Sequence, residues 1–150
     1  MLVMVVDDSN AMRTSISLTL KDMCFTVVDA SSGEAALKLL ESDRRLRPKL
    51  FILDYNMDGM DGLALVRRLR GWPGHRFTPI LILSREGGLD LRDEARSSGA
   101  SGWLVKPIAS GALMKVIRQI CPEADSMPPP RLASTPRAGV PPAHVFPPKR

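Results

Sequence analysis

Five short apolar runs punctuate the first 121 residues, at positions 2–6, 25–28, 50–53, 80–83 and 103–105. Each is rich in leucine or β-branched residues and nearly unbroken by polar ones, the pattern of strands buried on both faces. Between the runs, apolar residues recur at helical spacing. Met12, Ile16, Thr19, Leu20 and Met23 form one stripe, and Ala36, Leu37 and Leu40 belong to a second. Leu63, Val66 and Leu69 mark a third, and Leu113, Val116, Ile117 and Ile120 the last. The helix expected over Leu89–Ser98 is the weakest, being short and polar. Capping residues agree with these spans. Ser9 or Asn10 can cap the first helix, Ser31 or Ser32 the second and Ser110 the last. Gly71 with Pro73 ends the third helix, and Gly99 the fourth.

The resulting order is β-α repeated five times. Right-handed crossovers then place helices on both faces of a parallel sheet, an α/β, doubly wound fold. The character changes after Cys121. Nine of the 13 prolines fall between Pro122 and Pro148, with small and basic residues between them. Such a segment favours extended conformations and buries little. The expected organisation is an ordered body over 1–121 and a Pro-rich, basic, disordered tail or linker over 122–150.

Composition narrows the function classes modestly. Hydrophobic residues make up 44% of the chain, enough for one real core, and the net charge of +5 is spread over the whole length. That excess is too diffuse to argue for nucleic acid. No run approaches the roughly 18 apolar residues that span a bilayer. The apolar start is followed at once by Asp7 and Asp8, unlike a signal peptide. A cytoplasmic protein is expected, with Cys24 and Cys121 as buried, reduced thiols that match no metal spacing. The arginines of 44–47 and 67–70 read as solvated helix ends, favourable at C-terminal turns. His75 and His144 are assigned no function.

In an open parallel sheet, ligands bind beyond the carboxyl ends of the strands. Strand one ends in Asp7-Asp8, strand three in Asp54, strand four in Ser84 and strand five in Lys106. Three carboxylates gathered at one edge repel one another and resist ionising together. A hard divalent cation such as Mg²⁺ relieves that conflict, and Lys106 adds a second positive charge. The set suits phosphoryl transfer to a carboxylate.

These residues lie within sequence blocks that resemble those of response-regulator receiver domains of two-component systems. The blocks are Val5-Val6-Asp7-Asp8-Ser9, the stretch from Leu53-Asp54 through Asp61-Gly62, Ile82-Leu83-Ser84 and Leu104-Val105-Lys106-Pro107. Gly33-Glu34-Ala35-Ala36-Leu37 and Gly99-Ala100 ahead of Trp103 match as well. The resemblance covers residues 1–121 and implies a five-stranded (βα)5, flavodoxin-like or CheY-like sheet of strand order 2-1-3-4-5. It implies Asp54 as the phosphoacceptor, taking its group from a histidine kinase or histidine phosphotransfer protein. It makes Asp7, Asp8, Asp54 and the backbone carbonyl of Asn56 the Mg²⁺ ligands. Ser84 and Lys106 would contact the phosphoryl oxygens, and Lys106-Pro107 would be a cis peptide. Trp103 stands at the switch aromatic, which turns inward when Ser84 is drawn to the phosphate. Output would run through helix four, strand five and helix five to an effector protein, without membrane or direct nucleic-acid binding. Homodimerisation is left open.

Three positions depart from the family pattern. Asp58 replaces a proline, Arg85 stands where small residues are usual, and Trp103 replaces a smaller aromatic. Arg85 is expected to hinder water and slow dephosphorylation. An aspartyl-phosphate phosphatase needs a second acid where Asn56 stands, and a dinucleotide oxidoreductase needs a G-x-G-x-x-G that is absent. The chain is therefore read as a signalling switch rather than an enzyme. The alternative is a receiver-fold binding module that works without phosphorylation.

Overall fold

A computed structural model of the chain describes residues 1–126 and 143–148. The expected alternation is present. β1 (Leu2–Val6), β2 (Thr26–Ala30), β3 (Leu50–Asp54), β4 (Ile80–Ser84) and β5 (Gly102–Val105) alternate with five helices. These are α1 (Asn10–Asp22), α2 (Gly33–Ser42), α3 (Gly62–Arg70), α4 (Leu89–Ser98) and α5 (Ser110–Ile120). All five strands are parallel in the order β2-β1-β3-β4-β5. The described part of the tail adds two pieces, a 3-10 turn at Pro122–Ser126 and a sixth strand, β6 (His144–Val145), antiparallel to β5. The remainder of the tail expected over 122–150, residues 127–142 and 149–150, lies outside the described residues.

The strands sort their side chains by parity, because successive residues point to opposite faces. Met4, Val6, Phe51, Leu53, Ile80, Ile82 and Trp103 face α2, α3 and α4. Val3, Val5, Leu50, Ile52, Leu81, Leu83 and Leu104 face α1 and α5. Two apolar layers thus clamp the sheet, and β3 and β4 are buried along their whole length. Truncating a core side chain such as Leu53 to Ala costs about 2–5 kcal/mol, the usual penalty of a buried cavity.

Helix ends follow the chemistry of their caps. Ser9 and Ser32 accept from the N–H three residues on, and Gly71 and Gly99 close α3 and α4. Ser110 is instead the first residue of α5; Ala109 holds the cap position without a side-chain bond. Cys24 is exposed rather than buried. Its neighbours Met23 and Phe25 turn into the core, so the tight α1–β2 turn leaves Cys24 outside at φ 68°. Arg70 also departs from the solvated role given to the arginines. It is half-buried, and its guanidinium donates to the carbonyls of Gly99, His75 and Thr78.

Candidate functional site

Parallel alignment puts the carboxyl ends of β1, β3, β4 and β5 along one edge. Asp7 follows β1, Asp54 ends β3, Ser84 ends β4 and Lys106 follows β5. Carboxylate oxygens of Asp7, Asp8 and Asp54 lie within 4.8 Å of one another. Asp7 and Asp54 are almost wholly buried, at 1% and 4% exposure, whereas Asp8 faces solvent.

Local structure fixes each group. The Asp7 N–H donates to Ala30 at the end of β2, and Asp7 Oδ1 accepts from the Ser9 N–H where α1 begins. Arg13 reaches back from α1, donating to the Asp7 carbonyl at 2.8 Å and to Asp29 Oδ2 at 2.6 Å. Asp54 is held from below by the register of β3 with β4, and the Tyr55 N–H donates to the Leu83 carbonyl at 2.8 Å. The start of α3 passes so close that a Cβ on Gly62 would sit 2.5 Å from the Asp54 carbonyl oxygen. Only glycine lets the helix begin there. The Lys106 N–H donates to the Ser84 carbonyl at 2.7 Å, and Lys106-Pro107 is cis.

Lys106 Nζ lies 3.2 Å from Asp7 Oδ2 and 3.2 Å from Asp54 Oδ1, bridging the two buried acids. Burial pushes the Asp54 carboxyl above its ordinary value, and the Asp7 charge raises it further. Lys106 and the Asn56 N–H pull it back without cancelling the rise. One ammonium facing three carboxylates leaves the edge with excess negative charge and oxygen donors only. That donor set fits Mg²⁺ rather than a softer metal. Two residues beyond Asp54, the Asn56 side-chain oxygen is buried with no hydrogen-bond partner among the described residues.

The remaining expected residues occupy a connected arrangement. The Ser84 hydroxyl is fully buried and accepts from the Glu86 N–H at 3.0 Å. The Trp103 indole N–H donates to the carbonyl of the same residue, Glu86, at 3.2 Å. The Glu86 backbone therefore ties Ser84 to Trp103. Trp103 is fully buried and packs 5.6 Å from the Tyr55 ring, so the aromatic expected to turn inward is already inside. Its extra N–H, which a smaller aromatic lacks, gains the Glu86 partner there. Asp58 and Arg85 are both exposed on the loops around the site, and the Asp58 N–H donates to Asp8 Oδ2 at 3.4 Å. Sequence reasoning missed Arg13 and Glu86. Both act through backbone atoms or distant partners, which leave no mark on residue spacing.

Comparison with known proteins is consistent across three measures. A family model for the response regulator receiver domain matches residues 3–118. The chemotaxis protein CheY of Pseudomonas aeruginosa is 33% identical over 121 residues, 80% of this chain and 95% of that protein. The solved structure of chemotaxis protein CheY4 of Vibrio cholerae superposes with a TM-score of 0.75 at 35% identity, covering 79% of this chain and 97% of the other. The cyclic di-GMP phosphodiesterase response regulator RpfG of Xanthomonas campestris is 37% identical across 71% of this chain. That match covers only 28% of RpfG, so the activity in its name does not come with it. The matched span of this chain, 3–118, includes Asp7, Asp8 and Asp54, and the chain belongs to the family of response regulator receiver domains.

Proposed function

We propose that Asp54 accepts a phosphoryl group from a phosphohistidine on a histidine kinase or phosphotransfer protein. The observation that carries this reading is the Asp54 carboxylate, 4% exposed at the end of β3 and bonded at 3.2 Å to Lys106 beside a second buried acid. A carboxylate oxygen of Asp54 attacks phosphorus while the P–N bond breaks and its electron pair returns to the imidazole. A carboxylate is already deprotonated, so no general base is required. Mg²⁺, held by Asp7, Asp8, Asp54 and the Asn56 carbonyl, would neutralise charge on the phosphoryl oxygens. Lys106 pairs with the same oxygens as its bond to Asp54 is given up, and the Ser84 hydroxyl donates to one of them.

Signalling follows from the tie through Glu86. When Ser84 turns to the phosphoryl group it leaves the Glu86 N–H, and the loop shift reaches Trp103 and the α4–β5–α5 face. This is a two-state equilibrium biased by one covalent group. The receiver unit is assigned to residues 1–121 and the tail to 122–150, acting on an effector protein in the cytoplasm without enzymatic turnover of its own. Among the described residues no helix is long and apolar enough to cross a membrane. Arg85, exposed beside Ser84, shields the acyl phosphate, and Arg85→Ala shortens its half-life.

The test is incubation with Mg²⁺ and acetyl phosphate, followed by intact mass. A Mg²⁺-dependent gain of one phosphoryl group, absent in Asp54→Asn, is the expected result. No gain, under conditions that modify a known receiver domain, overturns the assignment.

A further inference from the structure

A five-stranded sheet of this order has two edges, β2 and β5, and in this chain β6 covers the second of them. Gly102 pairs with Val145 and Trp103 with His144, and the Phe146 N–H donates to the Ser101 carbonyl at 2.9 Å. Side chains of His144 and Phe146 anchor the segment as well. The Phe146 ring packs on the cluster that holds Trp103 and Ala95 of α4. Arg92 of α4 donates to the His144 ring. β6 also packs against α5. Gly102 makes the approach feasible, because a Cβ there would lie 3.2 Å from the His144 carbonyl oxygen and 3.1 Å from Leu81. Backbone bonds, an aromatic anchor and a polar clip together describe strand addition to a sheet edge, a recognition mode with main-chain affinity and side-chain selectivity.

We propose that the β5 edge is a strand-docking surface whose occupant is this chain's own segment 143–148, so that a protein partner using the α4–β5–α5 face must first displace it. That this face is the output face rests on the receiver reading above; that the segment docks there does not. The chain itself favours a resident occupant over a second copy. Residues 127–142 can reach roughly 50 Å when extended, at about 3.3 Å per residue. A domain of this size is only about 35 Å across. A tether that spans its sites gives an effective concentration of about millimolar, which a second molecule in dilute solution does not match. The paired stretch is only two residues long, so a partner offering a longer extended segment displaces it. Until then the edge is closed to indiscriminate strand pairing.

The test is hydrogen exchange followed by mass spectrometry on the full chain, with no phosphodonor present, so that it stands or falls apart from Asp54 chemistry. Phe146→Pro removes the N–H that bonds Ser101 together with the ring, while Phe146→Ser removes the ring alone. The slow amides within 101–105 exchange roughly tenfold faster or more in Phe146→Pro, less so in Phe146→Ser, with the urea midpoint of the domain nearly unchanged. Adding the peptide Ala-His-Val-Phe-Pro-Pro to Phe146→Pro restores the protection. Unchanged exchange over 101–105 in both variants overturns the proposal. So does wild-type protection that falls on dilution along with a dimer seen in sedimentation, because the docked strand would then belong to a second copy.

Discussion

Two half-buried cations stand at opposite edges of the sheet, and the molecule uses them in opposite ways. At the carboxyl edge, Lys106 lies between the carboxylates of Asp7 and Asp54. At the amino edge, Arg70 meets no acid among the described residues and spends its guanidinium on three backbone carbonyls, those of Gly99, His75 and Thr78. The Arg70 fork places four hydrogen bonds on neutral dipoles, which carry no net charge left to neutralise. The bonds of Lys106 are a truce among charges in excess, and an arriving phosphoryl group can rearrange them. A buried charge facing satisfied dipoles locks a structure, whereas one facing unresolved charge is poised for chemistry.

The largest expected effect separates the two edges by rate. Lys106→Met slows phosphoryl uptake from acetyl phosphate roughly 100-fold, the scale of losing one preorganised charge donor. Arg70→Met, followed by the same intact-mass time course, leaves uptake unchanged, and a matching loss in both variants would erase the distinction. Stability should divide them the other way. Arg70→Met lowers the urea-unfolding free energy by about 3 kcal/mol, because several carbonyls lose their donor at once.

A smaller effect of opposite sign is expected at the carboxyl edge itself. The folded state holds the Asp54 proton more tightly than the ordinary value of 3.8, so ionised Asp54 weakens the fold at neutral pH. Asp54→Asn therefore raises stability by about 1 kcal/mol at pH 7. The gain shrinks as pH falls through the raised value and is gone below the ordinary one, where wild-type Asp54 is protonated in both states. Urea curves at several pH values would show the two proteins converging on the acid side.

The smallest effect belongs to the amino edge. His75 is buried against Phe51 and Thr78, and burial, then Arg47 and Arg70, lower its pKa below 6.5. The unfolded chain takes up the proton near 6.5 while the folded one refuses it, so stability is lost as pH falls below about 6.5. His75→Gln removes that dependence, worth about 1 kcal/mol or less near pH 5.5. A wild-type slope that persists unchanged in His75→Gln would assign it to another group.

Much of the architecture was legible along the chain because it is written in local periods. Strand runs and helical stripes appear within windows of a dozen residues, and β3 and β4 fall within one residue of the expected ends. β2 was less legible and begins one residue later than expected, since an edge strand with exposed Thr26 and Asp29 loses the continuous apolar signature. The acid cluster was legible for a topological reason. Parallel strands deliver their last residues to one edge whatever the loops between them do, so Asp7, Asp54, Ser84 and Lys106 had to meet.

What the sequence by itself determined, then, is the order of elements and the company kept at the carboxyl edge, since both follow from short-range periodicity and the sense of the strands. Only the tertiary structure decided the rest. The fork of Arg70 finds carbonyls up to 29 residues away, Arg13 pairs with an acid 16 residues on, and Arg92 meets His144 across 52. It likewise put Trp103 inside, bonded to Glu86 across 17 residues. In each case the partners are distant atoms, often on the backbone, chosen by packing after the sheet and its helices have formed, and no spacing of residue types announces them.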